Sequence, residues 1–72
     1  MKYEALKAKY EAEIAIAKAE LMEYFDNSVG VGDHPNIIDS MDMVLGRLSQ
    51  AEEKLDSLIY FIGYKEENGE DD

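Results

Sequence analysis

One dense cluster of turn-forming residues, Asp26-Asn27-Ser28-Val29-Gly30-Val31-Gly32-Asp33-His34-Pro35, divides this chain into two long stretches and holds its only proline. Gly, Pro, Asn and Asp bunched over so few positions mark a loop. On the N-terminal side, residues from about Tyr3 to Phe25 contain no Gly or Pro and are rich in Ala, Glu, Lys and Leu, the strongest helix formers. On the C-terminal side a second helix is predicted from about Asn36 to Ile62. Asn36 with Asp39 reads as a capping pair, Asp39 and Asp42 suit the positive end of the helix dipole, and Gly63 reads as a stop. The fold class that follows is all-α: an antiparallel helical hairpin over residues 1–64. Residues 65–72 form an acidic tail without apolar side chains, expected to be disordered.

The second helix carries one apolar stripe: Ile37, Met41, Val44, Leu48, Ala51, Leu55, Leu58 and Ile62. Steps of four and three keep such residues on one side of a helix, and Ile38, Leu45 and Ile59 widen that side. Gly46 sits in mid-helix at about 1 kcal/mol relative to Ala; it reads either as a close backbone contact or as simple tolerance.

The first helix differs, because it carries two stripes. One is Tyr3, Tyr10, Ile14, Ala17, Leu21 and Tyr24, interrupted by Lys7; the other is Ala5, Ala8, Ala12, Ala15, Ala19 and Met22. At 100° per residue their centres lie about 150° apart, nearly opposite. Glu4, Glu11 and Glu13 find no lysine four residues on, so only weak charge support is expected and packing must hold this helix. Alanine on an exposed face reads also as mere helix propensity. If the second stripe packs, however, the single partner helix cannot cover it.

Composition points the same way. A chain of 72 residues supplies only about 3–5 kcal/mol from its own core, and small proteins add disulfides, metal or a second subunit. There is no cysteine and only one histidine, so disulfides and Cys- or His-rich metal sites are excluded. Association remains. A homo-oligomeric helical bundle, four helices in a dimer or more in a larger assembly, is therefore expected.

Seventeen acidic residues stand against seven basic ones, a net charge of −10. Such a surface repels phosphate backbones, so neither DNA nor RNA is an expected partner. No apolar run is long enough to span a bilayer, and the charged start Met-Lys-Tyr-Glu lacks the apolar region of a signal peptide. A cytoplasmic location without membrane association is expected.

Catalytic constellations are scarce. Of the serines at 28, 40, 49 and 57, only Ser28 shares a segment with the single His34, and no third orienting group is fixed by the sequence. His34 belongs to no Glu-x-x-His motif of the kind that di-metal bundles need. A non-enzymatic protein without cofactor is expected. The better candidate for binding is the loop ahead of the second helix, where Gly30 and Gly32 expose backbone N–H groups at an anion-friendly helix end. His34 and Asn36 would add polar contacts, Arg47 a counter-charge, and Tyr10 or Tyr24 a stacking surface. It lacks the Lys-Ser/Thr of a phosphate-binding loop, and Asp33 opposes phosphate. A plain connection between helices fits the same residues. Tyr60, Phe61 and Tyr64, brought near Tyr3 and Tyr10 by an antiparallel hairpin, form either an interface core or a docking patch.

The stretch Lys2–Leu58, with Lys-Ala-Lys-Tyr-Glu-Ala-Glu, Val-Gly-Val-Gly-Asp-His-Pro, Met41-Asp42 and Ala51-Glu52-Glu53-Lys54-Leu55, resembles small α-helical accessory proteins of tailed bacteriophages. In size, helical character and assembly the chain is similar to a group of such proteins that act as sponges for nucleotide immune signals. The resemblance implies a homo-oligomeric binding protein in a bacterial host, with a cyclic oligonucleotide as ligand. It carries over no binding residue. An acidic adaptor or inhibitor of a host protein, or a purely structural assembly protein, fits the composition as well.

Overall fold

The structure, a computed structural model, describes residues 1–26 and 36–65. Helix α1 spans Lys2–Asp26 and helix α2 spans Asn36–Leu58, passing directly into a π-helical turn, Ile59–Gly63. No strand occurs among the described residues. The two helices pack against each other as a hairpin. Their register is antiparallel: Tyr3 lies against Gly63 near one end, and Glu20 meets Arg47 further along.

The main stripe of α2 and the tyrosine-bearing stripe of α1 face inward, apart from Ile62. Val44 and Ala51 are buried on α2, and Ile37, Met41, Leu48, Leu55 and Leu58 are half-buried. On α1, Ala17 is buried completely, while Tyr3, Tyr10, Ile14, Leu21, Tyr24 and the intervening Lys7 are half-buried. Ala17 and Ala51, both buried, put small side chains on the inner faces of the two helices. The opposite stripe of α1, from Ala5 to Met22, is exposed throughout.

Much of the remaining apolar surface of the described residues is exposed. Ile16, Met22, Phe25, Ile38, Met43 and Leu45 are exposed, as are Ile59, Tyr60, Phe61 and Ile62 beyond them. Two helices side by side make one seam, and each keeps its far side in solvent.

The end of α2 departs from the simple stripe. The Tyr64 N–H donates to the Ile59 carbonyl, five residues back, which inserts one residue into the helical repeat. That insertion advances the side-chain phase by one position. Gly63 then takes the inward place, and Ile62, assigned to the seam by its spacing, is 42% exposed. Gly63 is also no terminator here, because Tyr64 remains right-handed helical after it. What selects glycine is contact, since a Cβ at Gly63 would lie 2.6 Å from the Tyr3 hydroxyl oxygen.

At Gly46 a Cβ would meet nothing within 4 Å. The two glycines should therefore respond oppositely to alanine. Gly46→Ala is expected to stabilise an isolated hairpin by about 1 kcal/mol through helix propensity. At Gly63 the same gain is offset by overpacking of about 1–3 kcal/mol against the Tyr3 ring. Gly63→Ala should become favourable only in a Tyr3→Ala background, a coupling that a double-mutant cycle of thermal unfolding measures.

Charge support on α1 exceeds the expectation. Lys7 pairs with Glu11 at 3.8 Å and Lys9 with Glu13 at 2.5 Å, both four residues apart. These place lysine first, the weaker orientation relative to the dipole, and expectation weighed only the reverse order.

Candidate functional site

The flank of the hairpin that carries Arg47 holds the most polar convergence among the described residues. Arg47 and Lys54 stand seven residues apart on α2, two helical turns, and so project from the same side. Arg47 Nη2 pairs with Glu20 Oε1 across the seam. Lys54 Nζ lies 5.8 Å from the centre of the Tyr10 ring, within cation–π reach. Between them a groove of about 270 Å³ is lined by Glu13, Ile16, Arg47, Gln50, Ala51 and Lys54.

Electrostatics in this groove are balanced rather than cationic. A hydrogen bond from Lys9 holds the Glu13 carboxyl below its usual pKa, and the charges of Lys9 and Lys54 act in the same direction. The same bond raises Lys9. An anion entering the groove would have to draw Arg47 from Glu20, whereas a planar group could lie along Ile16; Tyr10 borders the adjoining groove with Leu6, Glu53, Lys54, Ser57 and Leu58.

Of the residues singled out from sequence, Tyr10, Tyr24, Asn36 and Arg47 lie among the described residues and are spread along the two helices. Tyr10 and Tyr24 are fourteen positions apart on α1, roughly 21 Å, and Asn36 and Arg47 are eleven apart on α2, roughly 16 Å. Tyr24 borders a separate groove with Ala19, Glu20 and Glu23, whose carboxylates repel anions. Arg47 and Tyr10 share one flank, linked through Lys54. Gly30, Gly32 and His34 lie outside the described residues, as does the acidic tail beyond Lys65. No protein-family profile, curated protein or solved structure matches the chain.

Lys54 and Gln50 line this groove and are not among the residues singled out from sequence. The signal was present: Lys54 repeats Arg47 at a heptad interval, and Gln50 falls between them on the same side. Two further features bear on chemistry. Among the described residues there is no group of three or more His, Cys, Asp or Glu placed to hold a metal ion. No described helix is long and apolar enough to cross a membrane.

At the far end, Tyr60 and Phe61 meet edge to face, with ring centres 5.1 Å apart at 85°. Both are largely exposed, at 75% and 66%, and Tyr64 and Ile59 beside them are exposed as well. This end is an apolar surface on a chain otherwise dominated by carboxylates.

Proposed function

We propose that this chain is a non-enzymatic binding protein that works as a homo-oligomeric helical bundle. The observation that carries the reading is the apolar surface left open by the hairpin: among the described residues the buried hydrophobics are Ala17, Val44 and Ala51, against exposed Ile16, Met22, Phe25, Ile38, Met43 and Leu45. Phe25, Ile38 and Leu45 line one apolar groove with Leu21 and Met41, and an exposed apolar patch of this kind supports association. The resemblance to phage accessory proteins, Val-Gly-Val-Gly-Asp-His-Pro included, supports the same class.

The ligand in this reading is a nucleotide signal, held where the Arg47–Lys54 flank of one hairpin adjoins another subunit. Arg47 and Lys54 supply charge, Gln50 hydrogen bonds and Ile16 an apolar wall for a base, with Tyr10 in the adjoining groove beyond Lys54. Gly30, Gly32, His34 and Asn36 from a neighbouring loop, and Tyr24, would complete it from elsewhere in the assembly. Sequestration predicts thermal stabilisation by a cyclic or linear nucleotide, since ligand at 100 times its Kd adds about 2.7 kcal/mol. In a domain of this size that is a shift of about 10 °C or more. Arg47→Ala or His34→Ala should abolish the shift with the oligomer intact. A panel of nucleotides producing no shift would remove this ligand.

A second reading is favoured by the exposed Tyr60, Phe61 and Tyr64. Here the assembly is an adaptor or inhibitor that docks its aromatic end on a host protein, Tyr being common among residues that dominate interface energies. It predicts no nucleotide shift, and loss of a captured protein on Tyr60→Ala or Phe61→Ala.

A further inference from the structure

Resting on the nucleotide-binding reading, we infer that the groove of Glu13, Ile16, Arg47, Gln50, Ala51 and Lys54 seats a base rather than a phosphate, and that the base is guanine.

Size and charge narrow the occupant first. The groove holds about 270 Å³, just below ligand pockets, which run from roughly 300 to 1,000 Å³. That is room for one ring system and not for a whole nucleotide. Charges of opposite sign face each other across it. Glu13 and Glu20 stand seven residues apart on α1, and Arg47 and Lys54 seven apart on α2. Arg47 pairs with Glu20, and the charge of Lys54 acts on Glu13. A phosphate placed here meets two carboxylates along with two cations, so its charge gains little. A neutral, planar, dipolar group gains from both signs, and Ile16 and Ala51 supply the apolar part of the lining.

Hydrogen bonding then selects among the bases. An ionised carboxylate only accepts, whereas Arg and Lys only donate. Lys9 donates to Oε2 of Glu13, but a carboxylate has about four acceptor positions, so capacity remains. Arg47 engages Glu20 through Nη2, one nitrogen of a guanidinium with further donors.

Guanine has the matching edges. Its N1–H and N2 amino group form a donor pair for Glu13, while O6 and N7 form an acceptor pair for Lys54 or Arg47. Adenine would turn the acceptor N1 toward the carboxylate, and cytosine the acceptor N3. Uracil has a single ring N–H between two carbonyls. Gln50 both donates and accepts, so it does not discriminate.

The test is isothermal titration of the full chain with guanosine, inosine and adenosine monophosphates, and with cyclic di-GMP and cyclic di-AMP. Guanine nucleotides should bind about tenfold or more tighter than their adenine counterparts. Inosine keeps O6, N7 and N1–H and lacks only the N2 amino group. Its monophosphate should bind about tenfold more weakly than GMP, the loss of one hydrogen bond to a charged group. In Glu13→Gln the preference for GMP over IMP should disappear, because the amide oxygen no longer accepts from both donors. Glu11→Gln, in the carboxylate that pairs with Lys7 outside the groove, should keep it. If Glu13→Gln weakens every nucleotide alike, Glu13 acts only through its pair with Lys9, and the inference is overturned. Adenine nucleotides bound as tightly as guanine ones, or GMP and IMP bound alike by the wild type, overturn it too and leave the nucleotide reading standing. No binding of any of these nucleotides overturns both.

Discussion

Ala17→Leu is expected to unfold most of the protein at temperatures where the wild type is folded. Ala17 has no exposed surface, and it sits on the inner face of α1, which packs against α2. A leucine adds three carbons with nowhere to go, and overpacking of this kind costs about 1–3 kcal/mol, occasionally more. A core this small supplies only about 3–5 kcal/mol, so the loss is most of the margin. At roughly 4–8 °C per kcal/mol, melting followed by circular dichroism should fall by about 10–20 °C. Ser49→Leu, exposed on α2, serves as the control for added bulk and should leave melting nearly unchanged. Equal melting of Ala17→Leu and wild type would mean that the seam is not packed as described.

The second large effect is the dependence of melting on concentration. If the exposed stripe of α1 and the exposed Phe25, Ile38 and Leu45 are covered only in an assembly, folding and association are one equilibrium. For a dimer each tenfold dilution then removes about 1.4 kcal/mol. Melting should fall by roughly 5–10 °C per decade of concentration. A hairpin stable by itself melts at one temperature from millimolar to sub-micromolar protein.

Much of this architecture is legible in the order of the residues, and the reasons differ from element to element. The seam of α2 can be read because Ile37, Met41, Val44, Leu48 and Ala51 keep strict three–four spacing, which only a helix places on one side. The two-sided character of α1 is legible for the same reason, and its inner stripe packs while the alanine stripe stays open. Phase fails at Ile62, where the π-helical turn inserts a residue; spacing carries no warning of that, although Gly63 flags a place where backbone and ring come close. The lysine-first pairs on α1 escape a reading that looks only for the order favoured by the dipole. The candidate site is less legible. Arg47 and Tyr10 do share a flank, but their link, Lys54, follows from the antiparallel register of two helices and from no local motif.

The most direct test of the account is the mass of the purified protein in solution at micromolar concentration, by sedimentation equilibrium or light scattering, with helical content recorded on the same sample. The account predicts a helical particle whose mass is a whole multiple of 8.2 kDa, two or more. A fully helical, cooperatively melting particle of 8.2 kDa would contradict it.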